Sequence, residues 1–310
     1  MNIIKLFIIT TLAVLLSTTT IACEPPPNNG TQDIDKGNPG IPPPIHEWWK
    51  EIESGGKMYA DFRYKIEDGA ITIIRYEGEG GMVSIPPEIE EKPVTTIGIH
   101  AFRQTKLTGV VIPPSVTSIG AWAFFRNQLA SVIIPDSVTT IEGSTFQDNQ
   151  LTSVIIPNSV TSIGIAAFSS NELTDVVIPD SVTSIGGFAF IFNKLTSVVI
   201  PDSVTSIGEH AFSSNKLTSI TISENVTRIE SGTFSGNLLG RVVIPNSVTE
   251  IERSAFAGNS HLLEITIGKN VNIPHNAFGP TGFDAGYRYG GRQAGTYTRP
   301  NTTSHFWTKQ

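Results

Sequence analysis

The chain has a single cysteine, Cys23, in 310 residues. An internal disulfide is therefore excluded, and so is a metal site built on several thiolates. Basic charge is also scarce. Lys and Arg number 21 against 28 Asp and Glu, a net charge of −7, so no basic stripe is available to neutralise a phosphate backbone and nucleic acid is not expected as a partner. Charged residues make up only 16% and apolar residues 39%, which gives a core-forming chain rather than one held open by self-repulsion. Long apolar runs are missing: residues 6–16 form a mostly apolar stretch well short of the roughly 20 residues a membrane-spanning helix requires. The six histidines (His46, His100, His210, His261, His275 and His305) match no metal-ligand spacing and no nucleophile motif. Asp33-Ile-Asp35-Lys-Gly37 starts like a calcium loop but lacks the later ligands and the distal glutamate, so it reads as linker. No enzyme, metal or cofactor is expected.

What is present begins with a targeting segment. Lys5 precedes the apolar stretch, which has the length of a signal h-region. Small Ala22 then precedes Cys23, an arrangement that resembles the lipobox of bacterial lipoproteins, with Thr20 departing from the usual aliphatic residue. Residues 1–22 are expected to be a cleaved signal and Cys23 the lipidated residue, which would explain a lone thiol in an exported chain. Residues 23–45 hold Pro25, Pro26, Pro27, Pro39, Pro42, Pro43 and Pro44 and read as an extended tether. The expected location is a bacterial membrane, held by the lipid anchor alone, with the folded part at the cell surface.

Residues 46–81 are expected to form an N-terminal cap with a hairpin, since Asp68-Gly69 separates two alternating runs. Beyond them phenylalanine recurs every 22 residues: Phe102, Phe124, Phe146, Phe168, Phe190, Phe212, Phe234, Phe256 and Phe278. Such a period marks a solenoid in which each repeat is one coil. In residues 195–216 the coil reads as a strand with Val198 and Ile200 inward, a stop at Pro201, a turn at Asp202-Ser203, a second extended piece ending at Ile207, a bend at Gly208, and a return through Ala211-Phe212 to Asn215. About nine such coils fill residues 82–278. The aromatic-rich residues 279–310 are expected to cap the C-terminal end.

The Leu-x-x-Val-x-Ile strand resembles the leucine-rich repeat. The following Pro-x-x-Val-Thr-x-Ile-Gly-x-x-Ala-Phe is similar to the BspA-like (Treponema-type) repeats of bacterial surface proteins. The resemblance implies a right-handed, curved leucine-rich-repeat solenoid, mostly β, with adhesion or host-protein binding as its role. The Asn column from Asn127 to Asn259 stands where that family often carries Cys.

Functional variation should lie between the fixed positions. Strand alternation turns Val111, Ile133, Ile155, Val177, Val199, Thr221, Val243 and Thr266 away from the core, on the expected concave face. Two residues earlier in their coils stand Asp175, Arg241 and Glu264. These eleven residues are the candidate binding strip for a protein ligand on a host or neighbouring cell. The alternative is an envelope protein that self-associates or binds cell-wall glycan. The Phe and Asn columns read as scaffold, and the Ser and Thr columns (Ser115 to Ser247, Thr117 to Thr249) as turn and strand chemistry.

Overall fold

The computed structural model describes residues 56–310. The signal segment, Cys23, the tether and residues 46–55 of the expected cap lie outside the described residues.

Each 22-residue repeat forms one turn of a β-solenoid. In residues 195–216 the strand Ser197–Val199 alternates as its sequence dictates: Val198 and Ile200 are buried and Val199 faces solvent. Proline cannot donate to a ladder, and the chain turns at Pro201, whose carbonyl accepts from Val204 N at 3.0 Å. A second short strand, Ser206–Ile207, buries Ile207. Ala211 and Phe212 then close the coil, both fully buried.

Two parallel ladders stack the coils. The second-strand ladder runs unbroken through Thr140–Ile141, Ser162–Ile163, Ser184–Ile185 and Ser206–Ile207, each residue paired with its equivalent one repeat on. The first-strand ladder is paired two coils at a time, Ser131–Ile133 with Ser153–Ile155 and Ser197–Val199 with Ser219–Thr221. Between these pairs the coils remain joined one residue earlier, as in Thr196 N to Thr174 O at 3.3 Å.

Gly208 does not make the bend assigned to it by the sequence reading. The bend is made two residues later by His210, whose φ is 53°. Gly208 is needed for close approach instead: a Cβ there would lie 2.3 Å from the Gly187 nitrogen of the preceding coil. The left-handed position recurs in every coil, at His100, Trp122, Ser144, Ala166, Phe188, His210, Gly232, Ser254 and Asn276. A second left-handed position follows four residues later, from Gln104 to Gly258.

The core is a stack. Adjacent rings of the Phe column lie 4.9–5.9 Å apart and nearly parallel, within the offset-stacking range. Beside it runs the Asn column. Asn215 Oδ1 accepts from Leu195 N at 3.0 Å, while Nδ2 donates to Phe190 O at 2.9 Å and Phe212 O at 3.2 Å. Each asparagine thus satisfies buried backbone groups of its own coil and of the one before.

Both ends of the Phe column are covered by other aromatics. At the N-terminal end the strands Phe62–Glu67 and Ala70–Tyr76 form a hairpin through Asp68 (φ 49°) and Gly69 (φ 78°), the geometry of a two-residue primed turn. Its Tyr76 ring stacks on Phe102 at 5.4 Å, and Phe62 meets Phe102 at 6.3 Å. At the C-terminal end Phe283, on a helix spanning Phe283–Tyr289, meets Phe278 edge-on at 4.9 Å. Tyr287, Tyr297 and Trp307 surround it. The strand Gly295–Thr298 pairs antiparallel with the last coil strand, Glu264–Ile267.

Candidate functional site

The outward positions of the first strand form a row along the coils. Val111, Ile133, Val177, Val199 and Val243 are exposed, Val177 at 72% and Val199 at 63%. Thr221, Asp175 and Arg241 are also exposed, and Ile155 is half-buried. These side chains face outward because burying Val132, Val176, Val198 and Val242 on the other side leaves them no alternative.

The row changes character at its C-terminal end. Thr266 and Glu264 are half-buried, since the strand Gly295–Thr298 pairs alongside and the Thr266 and Thr296 hydroxyls are 2.9 Å apart. Arg241 Nε is 2.8 Å from Glu264 Oε1. The open apolar row therefore runs from Val111 to Val243.

Two charged borders flank it, neither singled out by the sequence reading. Three residues beyond the apolar row, just after the prolines or, for Glu224, after Ser223 in the proline position, Asp136, Asp180, Asp202 and Glu224 are exposed, with Asn158 and Asn246 in the same register. Coil contact is direct here, since Glu224 N donates to Asp202 Oδ1 at 3.3 Å. On the opposite border, ahead of the leucines, Lys106, Lys194 and Lys216 are exposed, and Lys194 is ion-paired with Glu172. The signal for both borders was the repeat column, read for charge rather than for hydropathy.

The other columns serve the stack. The Thr183 hydroxyl donates to Thr161 O at 3.1 Å and Ser181 to Val160 O at 2.7 Å. Elsewhere the charged groups are local. Glu230, the largest influence, with Glu250 and Glu252, raises the Arg228 guanidinium further above its ordinary value. Burial, with Arg103 adding repulsion, lowers His100 to about 4; its ring stacks on Trp122 at 5.0 Å. Burial raises Asp284 to about 6, against the opposing hydrogen bond from Phe278 N at 3.2 Å. No group of three or more His, Cys, Asp or Glu among the described residues is placed to hold a metal ion. No described helix is long and apolar enough to cross a membrane.

A 22-residue coil with a leucine-led strand, an inward Phe and an inward Asn defines a leucine-rich-repeat solenoid. The BspA type leucine rich repeat region matches residues 87–192 and 183–283 in six copies, and the chain belongs to this family. A leucine-rich repeat protein from Bacteroides ovatus is 25% identical, with a TM-score of 0.55 over 70% of this chain and 66% of that one. The chain thus spans just under two thirds of that relative's length. A leucine-rich repeat protein of T. pallidum is 25% identical over 67% of this chain and 91% of its own, with a TM-score of 0.43. A leucine rich cell surface protein from Faecalibacterium prausnitzii is 25% identical over 73% and 92%, with a TM-score of 0.30. No curated protein matches the chain.

Proposed function

We propose that the protein is exported, anchored through a lipid on Cys23, and binds a protein partner at the cell surface through the open row from Val111 to Val243. The observation that carries this reading is the row itself. Five large β-branched side chains stand exposed in successive or near-successive coils of a chain whose other apolar columns are buried. Exposed apolar patches of this kind mark interaction surfaces. The signal-like N-terminus, the Ala22-Cys23 junction and the proline-rich tether support presentation clear of a membrane.

The test is a comparison of the wild type with Val177→Lys/Val199→Glu, whose opposite charges lie in adjacent coils and do not repel. Both positions are solvent-facing, so thermal unfolding should be unchanged within about 0.5 kcal/mol. A protein retained from host or neighbouring cells by the wild type should be lost by the variant; equal retention would remove the row from consideration. For location, Cys23→Ala should move the protein from the membrane fraction to the soluble exported fraction.

A further inference from the structure

We infer that the partner of this row is a cationic amphipathic α-helix lying along the solenoid axis, with its basic side toward the post-proline border. The inference rests on the preceding reading of the row and adds the partner's shape and charge.

Spacing gives the shape. Coils in a parallel ladder repeat at about 4.8 Å, so the six coil steps from Val111 to Val243 span about 29 Å. An α-helix advances about 5.4 Å per turn, close enough for one turn to meet one coil along most of that length. About five turns, roughly 19 residues, cover the row. A strand laid the same way presents same-face side chains about 6.6 Å apart and falls out of step with the coils at once.

Charge gives the sign and the direction. Asp180, Asp202 and Glu224 occupy three consecutive coils, three residues from Val177, Val199 and Thr221, which is at most about 10 Å of chain. Among the described residues none of the three is in an ion pair. Carboxylates in this register repel one another, and a row of Lys or Arg on the partner would relieve that repulsion. The opposite border carries Lys106 and Lys216, with Lys194 already paired to Glu172 of the same column. A helix with an apolar stripe and one basic flank meets complementary potential in only one of its two side-to-side orientations.

The protein supplies its own conservative substitutions. Asn replaces the acid at Asn158 and Asn246, and Thr replaces the β-branched aliphatic at Thr221. Asp180→Asn/Asp202→Asn removes charge while keeping the turn, and Val177→Thr/Val199→Thr removes apolar surface while keeping a β-branched side chain. The probe is a labelled Leu/Lys amphipathic helix of about 19 residues, compared with the same peptide carrying Glu for Lys, by fluorescence anisotropy with the purified chain. The Lys peptide should bind, more weakly at high salt, and the Glu peptide should not. Each double variant should weaken binding roughly fivefold to tenfold, and the Asn variant should flatten the salt dependence. If the Thr variant weakens binding and the Asn variant does not, the row is the site but its partner is not cationic, and this inference fails alone. If neither variant changes binding, or the Lys peptide does not bind at all, the inference fails. If sedimentation shows a dimer that the Thr variant dissolves, the occupant is a second copy, and the helix is overturned.

Discussion

Asn215 and Phe168 show how differently two recurring side chains hold the coils together. Asn215 makes four hydrogen bonds to backbone groups in the interior. Asn215→Ala strands the Leu195 amide, while Phe190 O and Phe212 O keep Asn193 and Asn237 as donors, so a loss of about 1–3 kcal/mol is expected in urea denaturation. Phe168 is fully buried between two rings 5.6 and 5.4 Å away, and Phe168→Ala should cost about 3–5 kcal/mol. Two titrating residues oppose one another. Asp284 is raised from 3.8 to about 6, so its contribution to stability is full below pH 3.8 and is lost as pH rises through 6. His100 is lowered from 6.5 to about 4, so its contribution is full above pH 6.5 and is lost as pH falls through 4. Between pH 4 and 6 the two slopes have opposite sign. His100→Asn should leave a stability that declines as pH rises over that window, and Asp284→Asn one that increases; thermal melts across the window read both.

At the scale of the coil, interchangeability is the governing property. In the continuous ladder Ile141, Ile163, Ile185 and Ile207 pair in turn with no slip of register. Deleting one whole coil, from Leu173 to Lys194, joins Glu172 to Leu195 and should leave a shorter folded solenoid with one cooperative melt. Deleting half a coil from the same place sets strands against turns and should abolish it. Gly186→Ala tests backbone approach: its Cβ would lie 2.6 Å from Gly164 C and Ile165 N, and a loss of about 1–3 kcal/mol is expected from the forced shift. The coil was legible in the sequence because Leu195, Val198, Ile200, Phe212 and Asn215 each recur in a column with one physical demand. The left-handed positions were not, because His, Trp, Ser, Ala and Phe occupy them as well as Gly. There the ladder bonds fix the backbone, as in His210 N to Ser231 O at 2.9 Å, and no residue type signals it. Of the candidate strip, the outward row followed from alternation alone. Covering of Thr266 did not, since it depends on the strand Gly295–Thr298, which no local pattern around Thr266 announces.

The described molecule is one aromatic column with an aromatic closure at each end. Removing residues 279–310 uncovers Phe278 and the edge of the strand Glu264–Ile267. An open edge beside an exposed ring invites association between chains, and the truncated protein should aggregate where the full chain does not, as light scattering would show.

The asparagine bonds also give the stack a direction in time. The amide of Leu107 waits for Asn127, that of Leu129 for Asn149, and so on to Leu239 and Asn259, the acceptor always lying further along the chain than the donor. Leu262 ends the series by turning its amide to Asn259 O at 3.2 Å. A polypeptide that emerges amino end first therefore always carries one unfinished coil, completed only by sequence still to come. The vulnerable point of such an emerging chain is its newest coil, and it travels with the growing end.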